Sequence, residues 1–133
     1  MPALSADDQA AINNLWERYG EAIMSNKDGA SAAALYSEDC EVIGIDGTLL
    51  RGRQEIAEYY KIQLSGKYAN LKMSEVSFDL PRAISDDVAI INGSWMVHGL
   101  KPAAVRVRST MILRRDPEGW RYVAARFMAA LPD

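Results

Sequence analysis

From Leu71 onward the apolar residues recur at every second position in four runs, Leu71–Ala83, Val88–His98, Val105–Arg115 and Trp120–Met128. Only turn residues separate them. Ser85-Asp86-Asp87 joins the first pair, Gly99 to Pro102 the second, and Asp116-Pro117-Glu118-Gly119 the third, with proline and glycine where a type I turn wants them. Four long strands in succession form an antiparallel meander. Its apolar face needs a cover, and amphipathic helices long enough to supply one stand ahead of Leu71.

The preceding segment supplies the cover. Ser5 followed by Asp7 and Asp8 reads as a helix cap with acids in the positive first turn. Ile12, Leu15, Trp16, Tyr19, Ala22 and Ile23 then repeat at helical spacing. Asn26 to Gly29 breaks the helix, and Ser31 caps a short second one, SAAALY, ending near Ser37. Glu41 to Ile45 is β-rich, Asp46-Gly47 is a strong two-residue hairpin signal, and Thr48 to Leu50 is the return strand. Gly52 ends it. RQEIAEYYKIQL follows as a third helix, with Ile56, Tyr59, Tyr60, Gln63 and Leu64 along one side.

This order predicts an α+β cone-shaped roll: three N-terminal helices and a short hairpin packed on a curved antiparallel sheet, in the order α-α-β-β-α-β-β-β-β. At 133 residues, with 49% apolar and 25% charged residues, the chain suits a single domain spanning 1–133 with one core. A cone closed by helices leaves a cavity between its layers, which points to a small-molecule ligand.

Composition narrows the partners. A net charge of −3 gives no electrostatic case for nucleic acid or an anionic membrane. Arg106, Arg108 and Arg114 form a basic stripe on one strand face, but no aromatic platform interleaves with them. Charge pairing across a dimer interface, or plain solvation, accounts for the stripe better. One histidine and one cysteine leave too few ligands for a metal, and no cofactor is expected. Cys40 follows two carboxylates, which raise a thiol pKa, so it reads as inert. Without a basic start, an apolar leader or a membrane-length apolar run, the expected compartment is the cytoplasm.

The stretch LYSEDCEVIGIDGTLLRGRQEIAEYY and the ending MILRRDPEGWRYVAARF resemble the SnoaL-like branch of the nuclear-transport-factor-2-like (cystatin-like fold) superfamily, over Asp7 to about Ala129. That superfamily holds isomerases, dehydratases, cyclases, hydrolases and non-catalytic association domains, so fold alone does not give function. Aligned by its turns with the ketosteroid isomerase branch, the chain places Asn92, Ser94, Met96, His98, Met111, Tyr122 and Arg126 in the cone, with Tyr60 also against the ligand. Tyr19 stands at the position of the isomerases' tyrosine, Gly44 at that of their base and Met111 at that of their acid. Ketosteroid isomerase activity is therefore not expected.

The resemblance implies a polar, cationic pocket for a small polar or anionic compound. Tyr19 and Arg126 would stabilise an oxyanion, His98 would move the proton, and Asn92 and Ser94 would orient the ligand, without a cofactor. The other reading is a non-catalytic ligand-binding or association module. Tyr19 is at core spacing, where a helix-face tyrosine more often packs than donates to an oxyanion, and an outward Arg126 would be accounted for by an ion pair. Ile91, Trp95, Val97 and Ile112, assigned to the face away from the cone, imply a homodimer through the sheet.

Overall fold

A computed structural model describes residues 4–100 and 103–130. Helix α1 (Ala6–Gly20) runs into one π-helical turn (Glu21–Ser25), and a five-residue helix α2 (Gly29–Ala33) follows. Strands β1 (Tyr36–Ile43) and β2 (Leu49–Arg51) form the hairpin ahead of α3 (Gly52–Leu64). The meander consists of β3 (Lys72–Phe78), β4 (Arg82–Ser85), β5 (Val88–His98), β6 (Val105–Asp116) and β7 (Gly119–Ala129). No helix among these is long and apolar enough to cross a membrane.

The expected α+β roll is present, with seven strands in one sheet ordered β2-β1-β7-β6-β5-β3 and β4 also on β5. It is a mixed sheet, since β1 runs parallel to β7 while the other pairs are antiparallel. That one parallel pairing is possible because β2, α3 and strands β3 to β6 lie between β1 and β7, a crossover long enough to reverse the chain. Three boundaries differ from the sequence reading. The run Leu71–Ala83 is two strands, β3 and β4, interrupted where Pro81 offers no N–H to a ladder. Strand β1 starts at Tyr36, well ahead of Glu41, because Tyr36 pairs with Tyr122 before a register shift resets the ladder at Glu41. Asp28, not Ser31, caps α2: its Oδ1 accepts from the Ala30 and Ser31 amides at 3.0 and 3.3 Å. Of the connection Gly99–Pro102, Lys101 and Pro102 lie outside the described residues, as do residues 1–3 at the start of the chain.

Ser5 and Asp8 make the reciprocal cap that starts α1. Asp8 also fastens the helix to the β6–β7 hairpin, accepting from Arg115 Nη1 at 2.8 Å, Arg115 Nη2 at 3.0 Å and Trp120 Nε1 at 3.1 Å. Those donors, Arg115 foremost, hold its carboxyl well below the usual carboxylate range. Arg114 does the same for Asp39 from β6, bringing its pKa from 3.8 to about 2. A carboxyl depressed in the folded chain contributes stability above its unfolded pKa and loses it as pH falls through the folded value. The melting temperature is therefore expected to stay level from pH 7 to about 5 and to drop between about pH 4 and 2. Thermal melts across that range check it; a level or rising melting temperature below pH 4 would contradict the argument.

Candidate ligand cavity

Four tyrosines brought together by α1, α3 and the loop after α3 build the site. Tyr19 lies in the last turn of α1, and the π-helical turn beyond it carries Ile23 inward. Tyr59 and Tyr60 are adjacent on α3, so their rings leave the helix about 100° apart. Tyr60 reaches Tyr19, with ring centroids 6.2 Å apart and the two hydroxyls hydrogen-bonded. Tyr59 turns towards the β1–β2 hairpin: its hydroxyl donates to Asp46 Oδ2 at 3.0 Å and lies 3.1 Å from the Tyr68 hydroxyl. Lys67 completes the cluster, its Nζ 2.9 Å from the same Asp46 oxygen. Tyr36 and Tyr122 pack behind, with centroids 5.3 Å apart and each 6.5 Å from Tyr19. All six tyrosines of the chain thus form one contiguous group.

Between these rings and a floor of Leu71 and the sheet residues Met73, Trp95, Val97 and Phe127 lies a cavity of about 60 Å³. Among the described residues no charged side chain lines it. It shares Ile45 and Tyr68 with an outer vestibule of about 510 Å³, lined also by Asp46, Lys67, Asn70, Gly99 and Leu100. The small inner volume follows from the rings that bound it. Gly44, at the position of the isomerases' base, lines the cavity too; a Cβ there would sit 3.4 Å from the Tyr59 hydroxyl.

The electrostatics favour neutral hydrogen-bond donors. Burial, above all, raises the Tyr19 and Tyr60 hydroxyls well above the ordinary phenol range, so both keep their protons at neutral pH. In the Tyr19–Tyr60 pair one O–H serves as donor to the other oxygen, which leaves one proton for a further acceptor. Tyr59 and Tyr68 are spent differently. Because Tyr59 donates to Asp46, the Tyr68 hydroxyl is the donor to Tyr59 in a chain that ends on the carboxylate. Burial tends to raise the Asp46 pKa, but hydrogen bonds from Lys67, Thr48 and Tyr59 outweigh it and hold the carboxyl well below the usual range. Such a group orients Tyr59 and is a poor proton acceptor.

The sequence-expected residues divide. Tyr19 and Tyr60 line the cavity. Met111 and Tyr122 are buried on the helix-covered face, beside Ile12 and Trp16 in a neighbouring crevice. Asn92, Ser94, Met96, His98 and Arg126 are on the opposite face, contrary to expectation. Antiparallel partners share a face, and Met111 pairs with Ile91, which turns Ile91, Trp95 and Val97 inward and their alternates outward. Asn92 accepts from Thr110 Oγ1 at 2.6 Å, Ser94 from Arg106 Nη1 at 3.3 Å, and His98 Nε2 lies 2.7 Å from Ser74 Oγ.

Arg126 is displaced for a different reason. The β6–β7 ladder shifts between Ile112, paired with Ala124, and Leu113, paired with Tyr122, so Val123 is an extra residue. The bulge puts Tyr122 inward and Arg126 outward, although strict alternation gives them one face. Arg126 Nη2 pairs with Glu41 Oε1 at 2.7 Å and Nη1 donates to the Glu41 carbonyl at 3.1 Å. Tyr59, Tyr68, Asp46, Lys67 and Trp95 were not among the expected site residues. The signal that could have found Tyr59 is its adjacency to Tyr60, and for Trp95 it is the apolar alternation of its own strand.

Residues 12–127 match the SnoaL-like domain family. Among solved structures, a domain of unknown function with a cystatin-like fold from Nostoc punctiforme superposes with a TM-score of 0.84 at 21% identity, covering 97% of this chain and 81% of that one. An uncharacterised cystatin-like-fold protein from Caulobacter vibrioides gives 0.84 at 19% identity, over 96% and 93% of the two chains. A ketosteroid isomerase-like protein from Erwinia carotovora atroseptica gives 0.75 at 18% identity, over 96% and 100%. At these identities the likeness is one of fold. Comparison with curated proteins gives no match.

Proposed function

Given that the chain belongs to the SnoaL-like domain family, we propose that it binds a small, uncharged, ring-bearing molecule whose carbonyl or hydroxyl oxygen accepts the free proton of the Tyr19–Tyr60 pair. The observation that carries this reading is an apolar cavity, walled by aromatic rings, whose inner surface holds paired neutral phenols and no charge. An anionic ligand there would lose its hydration without meeting a cation, since Arg126 and His98 are on the other side of the sheet. The vestibule is the way in, and the Asp46–Lys67 pair stands at its inner edge.

A second reading, cofactor-free catalysis, is favoured by the same phenol pair. Neutral hydroxyls fixed in an apolar pocket are suited to an oxygen that gains negative charge during reaction. The uncovered face of β5, β6 and β7 is the surface we propose for a second copy of the chain; Met128 there is 60% exposed.

Titration calorimetry with cyclic ketones and small phenols tests the site. Tyr60→Phe removes one hydroxyl and is expected to weaken binding about 3–10-fold, the usual worth of one neutral hydrogen bond. His98→Gln and Arg126→Met are expected to leave affinity unchanged. If turnover accompanies binding, Tyr60→Phe should lower it by about 10²–10³-fold, more than it lowers affinity. Binding that depends on Arg126 and ignores Tyr60 would overturn the assignment.

A further inference from the structure

A second concavity, of about 400 Å³, lies where the end of α1, α2, the start of α3 and the β6–β7 turn meet. Ala30, Ala33 and Ala57 line it together with Arg18, Arg53 and Arg121, and Glu118 is the one carboxylate in that lining among the described residues.

The three guanidinium groups are under-used by the protein. Arg121 is only 16% exposed. Its Nη1 donates to the Trp120 carbonyl at 2.8 Å, while Nη2 stands 3.9 Å from Glu118 Oε2, beyond hydrogen-bond distance. Its buried Nε has no acceptor among the described residues. An arginine cannot shed its proton at neutral pH, so a buried fork with unspent donors is costly unless an acceptor meets it. Arg53 is held in place by its Nε, which donates to the Tyr36 carbonyl at 2.7 Å. Its terminal nitrogens lie 3.7 Å from Glu38 and from Glu118, again too far for a hydrogen bond. Arg18, on α1, brings the third cation to the same groove. Glu118, 64% exposed, is shared between Arg53 and Arg121, and Glu38, 87% exposed, stands on the far side of Arg53, so the three arginines still outnumber the carboxylates beside them.

We propose that this groove binds a doubly charged oxyanion of the phosphate class, as the free ion or as the phosphate group of a small organic phosphate. Two guanidinium forks presented side by side match the several acceptor oxygens of such an ion better than a single carboxylate does. The alanine walls leave room beside it for an organic substituent.

Calorimetry with inorganic phosphate, with sodium chloride balancing the ionic strength, reads the site directly. The expected result is saturable binding and a rise in melting temperature that chloride alone does not produce. Arg18→Gln, an exposed change that keeps the fold, should weaken binding at least about tenfold, as should Arg121→Gln. Phenyl phosphate serves as the second arm: tighter binding than inorganic phosphate assigns the groove to an organic phosphate, and equal binding assigns it to the free ion. Tyr60→Phe should change neither. A response no larger than that of chloride, or one that survives Arg18→Gln, would overturn the proposal.

Discussion

Trp95→Lys is expected to unfold the domain. The side chain is 4% exposed and sits among Trp16, Phe78 and Phe127, with ring centroids 4.9, 6.0 and 6.0 Å away. Truncating a buried tryptophan costs about 3–5 kcal/mol, and lysine adds an ammonium group that has no carboxylate partner in that cluster. Against a total stability of about 5–15 kcal/mol, the loss removes most of the fold. Near-ultraviolet circular dichroism should lose its aromatic signal, and light scattering should show expanded or aggregated chains.

Had Trp95 lain on the outer face, as alignment with the isomerase branch expects, the same substitution would yield folded monomers. The two assignments of the β5 faces are thereby separated. The wild-type mass from the same scattering run tests the proposed dimer, since a mass of one chain at micromolar concentration would refute it. For the mutant half of that experiment, Met128→Lys is the proper change on the outer face, because its exposed side chain can carry a charge without disturbing the core.

The element order was legible because period and turn chemistry are local properties. Ser5 and Asp8 cap α1 as their spacing predicts, and Asp46-Gly47 turns the hairpin, with Asp46 Oδ1 accepting from the Thr48 amide at 3.0 Å. The faces of the strands were less so. On β5 the residues themselves favour burying Ala89, Ile91, Gly93, Trp95 and Val97, since the alternate set contains asparagine, serine and histidine; the alignment by turns assigns the reverse. On β7 no local pattern reveals that Val123 is an extra residue, because a bulge is settled by the partner strand. Helical spacing puts Tyr19 and Tyr60 on inward faces, and the alignment with the isomerase branch is what gives Tyr19 a role beyond packing. The roles of Tyr68 and Asp46 depend on contacts that join α3 and its following loop to the hairpin, and no periodicity in either segment records them.

Gly99→Ala should be the most damaging methyl addition to the turns. Gly99 has φ +90°, a conformation that costs an alanine about 1–2 kcal/mol. A Cβ at this position would also lie 2.1 Å from the Asn70 carbonyl oxygen and 2.7 Å from its carbon. Both are backbone atoms, so no rotamer change can relieve the contact, and the β3 entrance must move away from β5. Overpacking of this kind adds about 1–3 kcal/mol, for a combined loss of about 2–5 kcal/mol.

Gly47→Ala provides the comparison. Gly47 has φ +84°, but nothing lies within 4 Å of its added Cβ, so only the conformational cost of about 1–2 kcal/mol is expected. Urea unfolding of both variants should show Gly99→Ala destabilised by at least about 1 kcal/mol more than Gly47→Ala. Because Asn70 and Gly99 line the vestibule and Leu71 the inner cavity, the retreat of this segment should also weaken ligand binding in the Gly99 variant. Equal destabilisation would mean that β3 yields freely at Asn70, and that the vestibule wall is not rigid enough to select a ligand by shape.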